Sequence, residues 1–249
     1  MTTRSDYLQI SLLGLGRGIL VQSLIYPLEV ARTHLQLKLE EKAHLVIRNL
    51  IREGRLYRGL SFEIVQKIPN AFCWPLMTYL LPSLHKHDVP KPAALTLTAF
   101  SIAALNTTVA TPLEKGKIVS MIRTFSWKEV YRDGYQGAKA YFARLFVNWW
   151  VFLQAQDYFR KQHVAAPTVC ELVTDGMKTA FLVSVMAAPF DAANIVTQAG
   201  GNPRALLSGS VVRNVYRIWP LRLISLNAHT IASIYLMEWV DRQTIETAS

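Results

Sequence analysis

The stretch Tyr26-Pro27-Leu28-Glu29-Val30-Ala31-Arg32 decides how the chain is read. A proline ends an apolar stretch, an acid stands two residues on, and a base stands five residues on. The pattern returns as Thr111-Pro112-Leu113-Glu114-Lys115-Gly116-Lys117. It returns again as Ala188-Pro189-Phe190-Asp191-Ala192-Ala193-Asn194, where an amide replaces the base. A unit repeated at comparable intervals sets the architecture before any local propensity does. Proline has no N–H to give, and its ring crowds the preceding turn, so a helix that runs through it kinks there. The acid and the residue three positions on share one helix face. Three long helices are therefore expected, kinked at Pro27, Pro112 and Pro189, with charges on the inside of each bend.

Outward from the prolines, the preceding apolar stretches cover 8–25, 93–110 and 172–187. Crossing a bilayer takes roughly 20 residues, so each stretch would have to continue as helix past its proline to span. Three more apolar stretches, 60–84, 138–160 and 211–240, alternate with them. The connections share a cue: Arg52-Glu53-Gly54-Arg55-Leu56-Tyr57-Arg58-Gly59, then Arg132-Asp133-Gly134-Tyr135-Gln136-Gly137, and a shortened Gly200 to Gly209. Segment 40–53 predicts a short surface helix. The expected fold is an all-α membrane protein. It has six tilted transmembrane helices in three pseudo-threefold repeats, at about 6–86, 92–163 and 168–242, within one domain of residues 1–249.

Composition agrees with this. Half of the chain is hydrophobic (51%) and 18% is charged. The mean hydropathy of +0.19 is low for wholly apolar spans and high for a chain carrying 27 Lys and Arg. Helices that line a wet interior need an apolar outward face only. The net charge of +10 draws anions. No nucleic-acid motif is present, which leaves anionic lipid or an anionic solute. Segment 38–58 holds six Lys and Arg against three Glu, whereas the linkers near 85–92 and 163–169 carry little charge. The positive-inside rule places the repeat connections on the matrix or cytoplasm-like side.

The remaining features read as structural. Gly14, Gly16 and Gly18 lack the strand and the Lys-Ser/Thr pair of a phosphate loop, and suit close helix packing. Trp74, Trp127, Trp149, Trp150, Trp219 and Trp239 suit interfacial anchors. Cys73 and Cys170 are expected as buried thiols. The histidines have no metal-ligand spacing. The short polar stretch from Met1 to Tyr7 carries no secretory or transit signal. No catalytic constellation is legible, so neither an enzyme, a metal nor a cofactor is expected.

Pro-x-acid-x-x-base repeated three times, followed by acid-Gly and aromatic-base-Gly, resembles the mitochondrial carrier family over residues 8–240. The resemblance implies a six-helix barrel, monomeric, in the mitochondrial inner membrane. For a chain encoded by an intracellular bacterium or virus, that would be the host's mitochondrion. It implies alternating access for a small anionic solute, a nucleotide or a di- or tricarboxylate, and contact with anionic lipid such as cardiolipin. A matrix-side gate follows in which Glu29 pairs with Lys117, Asp191 with Arg32, and Glu114 faces Asn194. Gln36 and Gln198 stand at the positions of the family's glutamine brace, where the second repeat has Met121. Asp157 and Arg160 keep the charges of an outer-side gate. The solute-contact positions fall on Gln66, Arg144 and Arg217, with Asn70 and Asn148 one turn on and Lys67 and Arg213 as alternates. Arg17, Lys178 and Arg222 are further mid-span cations. The eroded outer gate also fits a carrier-fold scaffold or receptor that has lost transport.

Overall fold

The computed structural model describes residues 4–39, 41–71, 73–123, 126–163, 167–207 and 210–232. The described residues are helical with no strand. Helix α1 spans Arg4–Leu37, α2 Ala43–Arg52, α3 Leu60–Ala71, α4 Cys73–Lys86, α5 Lys91–Ile122, α6 Trp127–Asp133, α7 Ala138–Arg160 and α8 Val169–Gln198. A short 3₁₀ turn, Pro203–Leu207, leads to α9, Val211–Tyr216. A further helical run, α10, covers 219–232. Trp239 and the rest of the expected last span beyond residue 232 lie outside the described residues.

Each motif proline sits inside a continuous helix: Pro27 in α1, Pro112 in α5 and Pro189 in α8. A proline frees the carbonyl four residues before it. Two of these carbonyls find a substitute donor. Tyr135 Oη donates to Thr108 O at 2.7 Å, and Tyr216 Oη donates to Val185 O at 3.4 Å. Both tyrosines come from the segment that follows the helix they cap.

Two helices, α5 with 32 residues and α8 with 30, are long and apolar enough to cross a membrane. Their outward faces leave Leu97, Phe100, Leu105, Val109, Phe181, Leu182 and Met186 exposed. An exposed apolar surface of that extent marks contact with lipid or a partner. Many of their buried positions are small or polar: Ala99, Ala103, Asn106, Ala110, Glu114 and Lys117 on α5, and Ala180, Ser184, Ala187, Ala188, Asp191 and Asn194 on α8.

Neighbouring helices follow a fixed order. α3 packs between α1 and α5, α7 packs between α5 and α8, and α1 touches α8. Side chains of α10 reach both α8, through Arg222 to Asp191, and α1, through Ser225 to Glu29. Gly59 positions the start of α3. It adopts φ +84°, and a Cβ there would come within 2.8 Å of the Lys117 carbonyl. Only glycine allows both the turn and that approach. Below the charged layer, towards α2, Tyr26, Val30, Leu35, Val46, Leu50, Ile118, Met121, Ile195 and Ile218 form one apolar cluster that ties together α1, α2, α5 and α8. Cys73 is buried as expected, but Cys170 is exposed. It sits in the first turn of α8.

Candidate functional site

The motif acids and bases converge in the interior. Asp191 on α8 is fully buried and receives guanidinium groups from three other helices: Arg32 at 3.4 Å, Arg144 at 3.2 Å and Arg222 at 2.8 Å. Arg144 also reaches Glu114 at 3.2 Å, and its guanidinium lies over the Tyr141 ring, 4.8 Å from the centroid. Asn194 Nδ2 donates to Glu114 Oε1 at 3.2 Å. The Arg32–Asp191 pair and the Glu114–Asn194 contact are thus both present.

The expected Glu29–Lys117 pair is not formed. Glu29 instead holds Arg32 at 2.7 Å, three residues on along α1, and accepts from Ser225 Oγ at 3.1 Å. Lys117 is taken by Glu114 at 2.7 Å and by Glu63 at 2.9 Å. Glu63 is the reason for the difference: it places a nearer carboxylate on Lys117 from α3. Nor do the glutamines brace the ion pairs. Gln36 Nε2 donates to Asn214 O at 3.1 Å, and Gln198 is fully buried, its amide making no hydrogen bond among the described residues.

Of the positions expected to contact solute, Gln66 and Arg144 are buried in the interior, and Gln66 Nε2 donates to Tyr141 Oη at 2.6 Å. Asn70, one turn on, is half-buried, and Asn148 Oδ1 accepts from Arg222 Nη2 at 2.7 Å. Arg217 is elsewhere. It lies in the turn between α9 and α10 and donates to the Lys38 carbonyl at 2.6 Å and to that of Glu41. The turn carries it to the α2 side, and Arg222, farther along the same segment, supplies the buried cation. Lys67 binds Glu63 at 2.8 Å and donates to Gln22 Oε1, which also meets His229 Nε2 at 2.9 Å. Arg213 and Lys178 are exposed, the latter paired with Asp175 at 3.1 Å. The Arg17 side chain lies outside the described residues.

On the opposite side stand the two charges expected of an outer gate. Asp157 pairs with Lys91, which opens α5, and at 2.7 Å with Lys161, while Arg160 is exposed. Among the described residues no group of His, Cys, Asp and Glu has the geometry to hold a metal ion.

Glu63, Tyr141 and Ser225 were not legible as site residues from the repeat. Glu63 did carry a signal: with Gln66, Lys67 and Asn70 it follows the spacing of one helix face. A buried acid beside a lysine on that face points inward. A comparison of the chain with protein-family models and with curated proteins returned no match.

Proposed function

We propose that the chain is a six-span, three-repeat carrier of the mitochondrial-carrier type that moves a small anionic solute by alternating access. One observation carries this reading. Arg32, Arg144 and Arg222 are buried around the carboxylate of Asp191, with Glu29 and Glu114 as further partners of Arg32 and Arg144, and among the described residues the Nε–H of each lacks an acceptor. A buried guanidinium with an unmet donor is costly, and planar oxyanions are its best partners. A carboxylate or phosphate entering from the side of Gln66 and Asn70 would compete with Asp191 and Glu114 for these donors. The ion pairs would then separate as a two-state latch rather than act as fixed cement. The apolar cluster below the charges corresponds to a closed α2 side.

The reading places the chain in the mitochondrial inner membrane, as a monomer, with the basic α2 side towards the matrix and its anionic lipid. For a chain of bacterial or viral origin the membrane would be the host's. No catalytic step is part of it. The test is uptake of labelled nucleotides and di- and tricarboxylates into liposomes holding the purified chain, preceded by a thermal-shift screen. A ligand at a hundred times its Kd stabilises the folded form by about 2.7 kcal/mol. The expected result is a stabilising anion that is also taken up, with loss of uptake in Arg144→Ala.

The second reading is a carrier-fold scaffold or receptor without transport. The pairing of Asp157 with Lys91 and Lys161 favours it, because among the described residues its carboxylate makes no cross-repeat pair. Capture of a protein partner, with no uptake of any anion, would decide for the scaffold.

A further inference from the structure

Glu63 stands outside the repeated motif, in the first turn of α3. Its two oxygens hold two ammonium groups: Oε2 is 2.9 Å from Lys117 and Oε1 is 2.8 Å from Lys67. Among the described residues it is the one carboxylate from another helix that pairs with Lys117, whose second partner, Glu114, lies on its own helix. The approach of α3 to α5 is built into the residues on either side. A Cβ on Gly116, next to Lys117, would come within 2.6 Å of the Phe62 ring, next to Glu63. The glycine therefore lets the ring seat directly on the α5 backbone. Glu29, the acid of the first motif, is turned away towards Arg32 and Ser225.

We infer that Glu63, rather than Glu29, closes the ion-pair latch between the first and second repeats by holding Lys117 across the seam of α3 and α5. The role as a latch rests on the transporter reading above; the pairing rests on the geometry alone. The arrangement suits a contact that must open and close. Removing one partner from a buried pair is costly because a charge is left alone. Here each side keeps a counter-ion on its own helix, Lys67 for Glu63 and Glu114 for Lys117. Parting of the seam therefore orphans neither charge. Glu29 and Arg32 likewise remain together on α1.

The experiment is a pair of double-mutant cycles on the full chain in detergent, read by thermal unfolding: E63Q with K117Q, and E29Q with K117Q. The Glu63–Lys117 cycle should be non-additive by about 2–6 °C, and the Glu29–Lys117 cycle additive to within about 1 °C. E63D should recover most of the shift lost in E63Q, and K117R stands in if K117Q does not fold. In liposomes, with labelled malate and ATP as probes, E63Q should change the maximal uptake rate and leave KM unchanged. Additivity between Glu63 and Lys117, coupling confined to Glu29, an E63D that behaves as E63Q, or an effect on KM alone would overturn the assignment. A wild-type chain that takes up neither probe counts against the transporter reading, and the thermal cycles then decide the pairing by themselves.

Discussion

Arg222 Nη1 stands 2.8 Å from Asp191 Oδ2, and the same guanidinium donates to Asn148 at 2.7 Å. This one side chain joins α10 to both α8 and α7. It makes Asp191 the point where four helices meet, since Arg32 of α1 and Arg144 of α7 share the carboxylate.

Asp191→Asn should therefore be the most destabilising of the isosteric changes at the site. It removes the carboxylate charge that Arg222 meets and one of the two that Arg32 and Arg144 each meet, where Glu29→Gln would leave Arg32 with Asp191. Loss of one partner of a buried pair costs about 3–5 kcal/mol. Thermal unfolding of the purified chain checks this. Arg217→Ala should cost about 1 kcal/mol, because it loses hydrogen bonds to two loop carbonyls at a half-exposed position. Equal losses for the two variants would contradict the assignment of Arg222 and Asp191 as the buried centre.

The proline helices supply the second prediction. Tyr135 Oη caps the Thr108 carbonyl that Pro112 leaves open. Tyr135→Phe removes that donor and keeps the ring, so it should cost about 0.5–1.5 kcal/mol. Hydrogen exchange should rise locally around 108–112. Tyr216→Phe should have a smaller effect, since its bond to Val185 O is longer at 3.4 Å. No change in exchange for Tyr135→Phe would mean that the hydroxyl does not serve the kink.

The two cysteines give a third. Cys73 is fully buried, and Asn106 Nδ2 donates to its sulfur at 2.8 Å, whereas Cys170 is exposed. A small maleimide should label one thiol in the folded protein in detergent and two after denaturation. Cys170→Ser should abolish labelling of the folded form. Rapid labelling of both thiols in the native chain would refute the packing of α4 on α5.

The sequence carried the helices and their order well, because prolines and apolar periodicity are local signals. Pro27, Pro112 and Pro189 locate three helices, and segment 40–53 contains α2. The motif also carried which charged residues turn inward: Glu29, Arg32, Glu114, Lys117, Asp191 and Arg144 are all buried. It did not carry which atom meets which. Pairing depends on distances between helices, and those are set by contacts such as Phe62 on Gly116, which no spacing along one chain reveals. Arg217 was misplaced for a related reason. The turn at 217–218 interrupts the helical count, so the buried cation falls on Arg222 instead. The expected glutamine brace is not formed at Gln36, whose amide donates to the Asn214 carbonyl instead.

Gly59 offers the sharpest test of the seam between α3 and α5, because two independent constraints meet in one residue. Its φ of +84° lies where a side chain is strained, and a Cβ would also meet the Lys117 carbonyl at 2.8 Å and the Tyr26 hydroxyl at 2.9 Å. Tyr26 Oη itself donates to the adjacent Arg58 carbonyl at 2.8 Å, so the hydroxyl is not free to retreat. Alanine at 59 should thus cost more than the about 1–3 kcal/mol of left-handed strain alone. Gly54→Ala is the control. Gly54 has a similar positive φ of +62° and nothing within 4 Å of a Cβ, so it carries the strain without the collision. The difference between the two variants in unfolding temperature measures the close approach of α3 to α5. If Gly59→Ala and Gly54→Ala lose the same stability, the two helices are farther apart than described, and Glu63 does not reach Lys117.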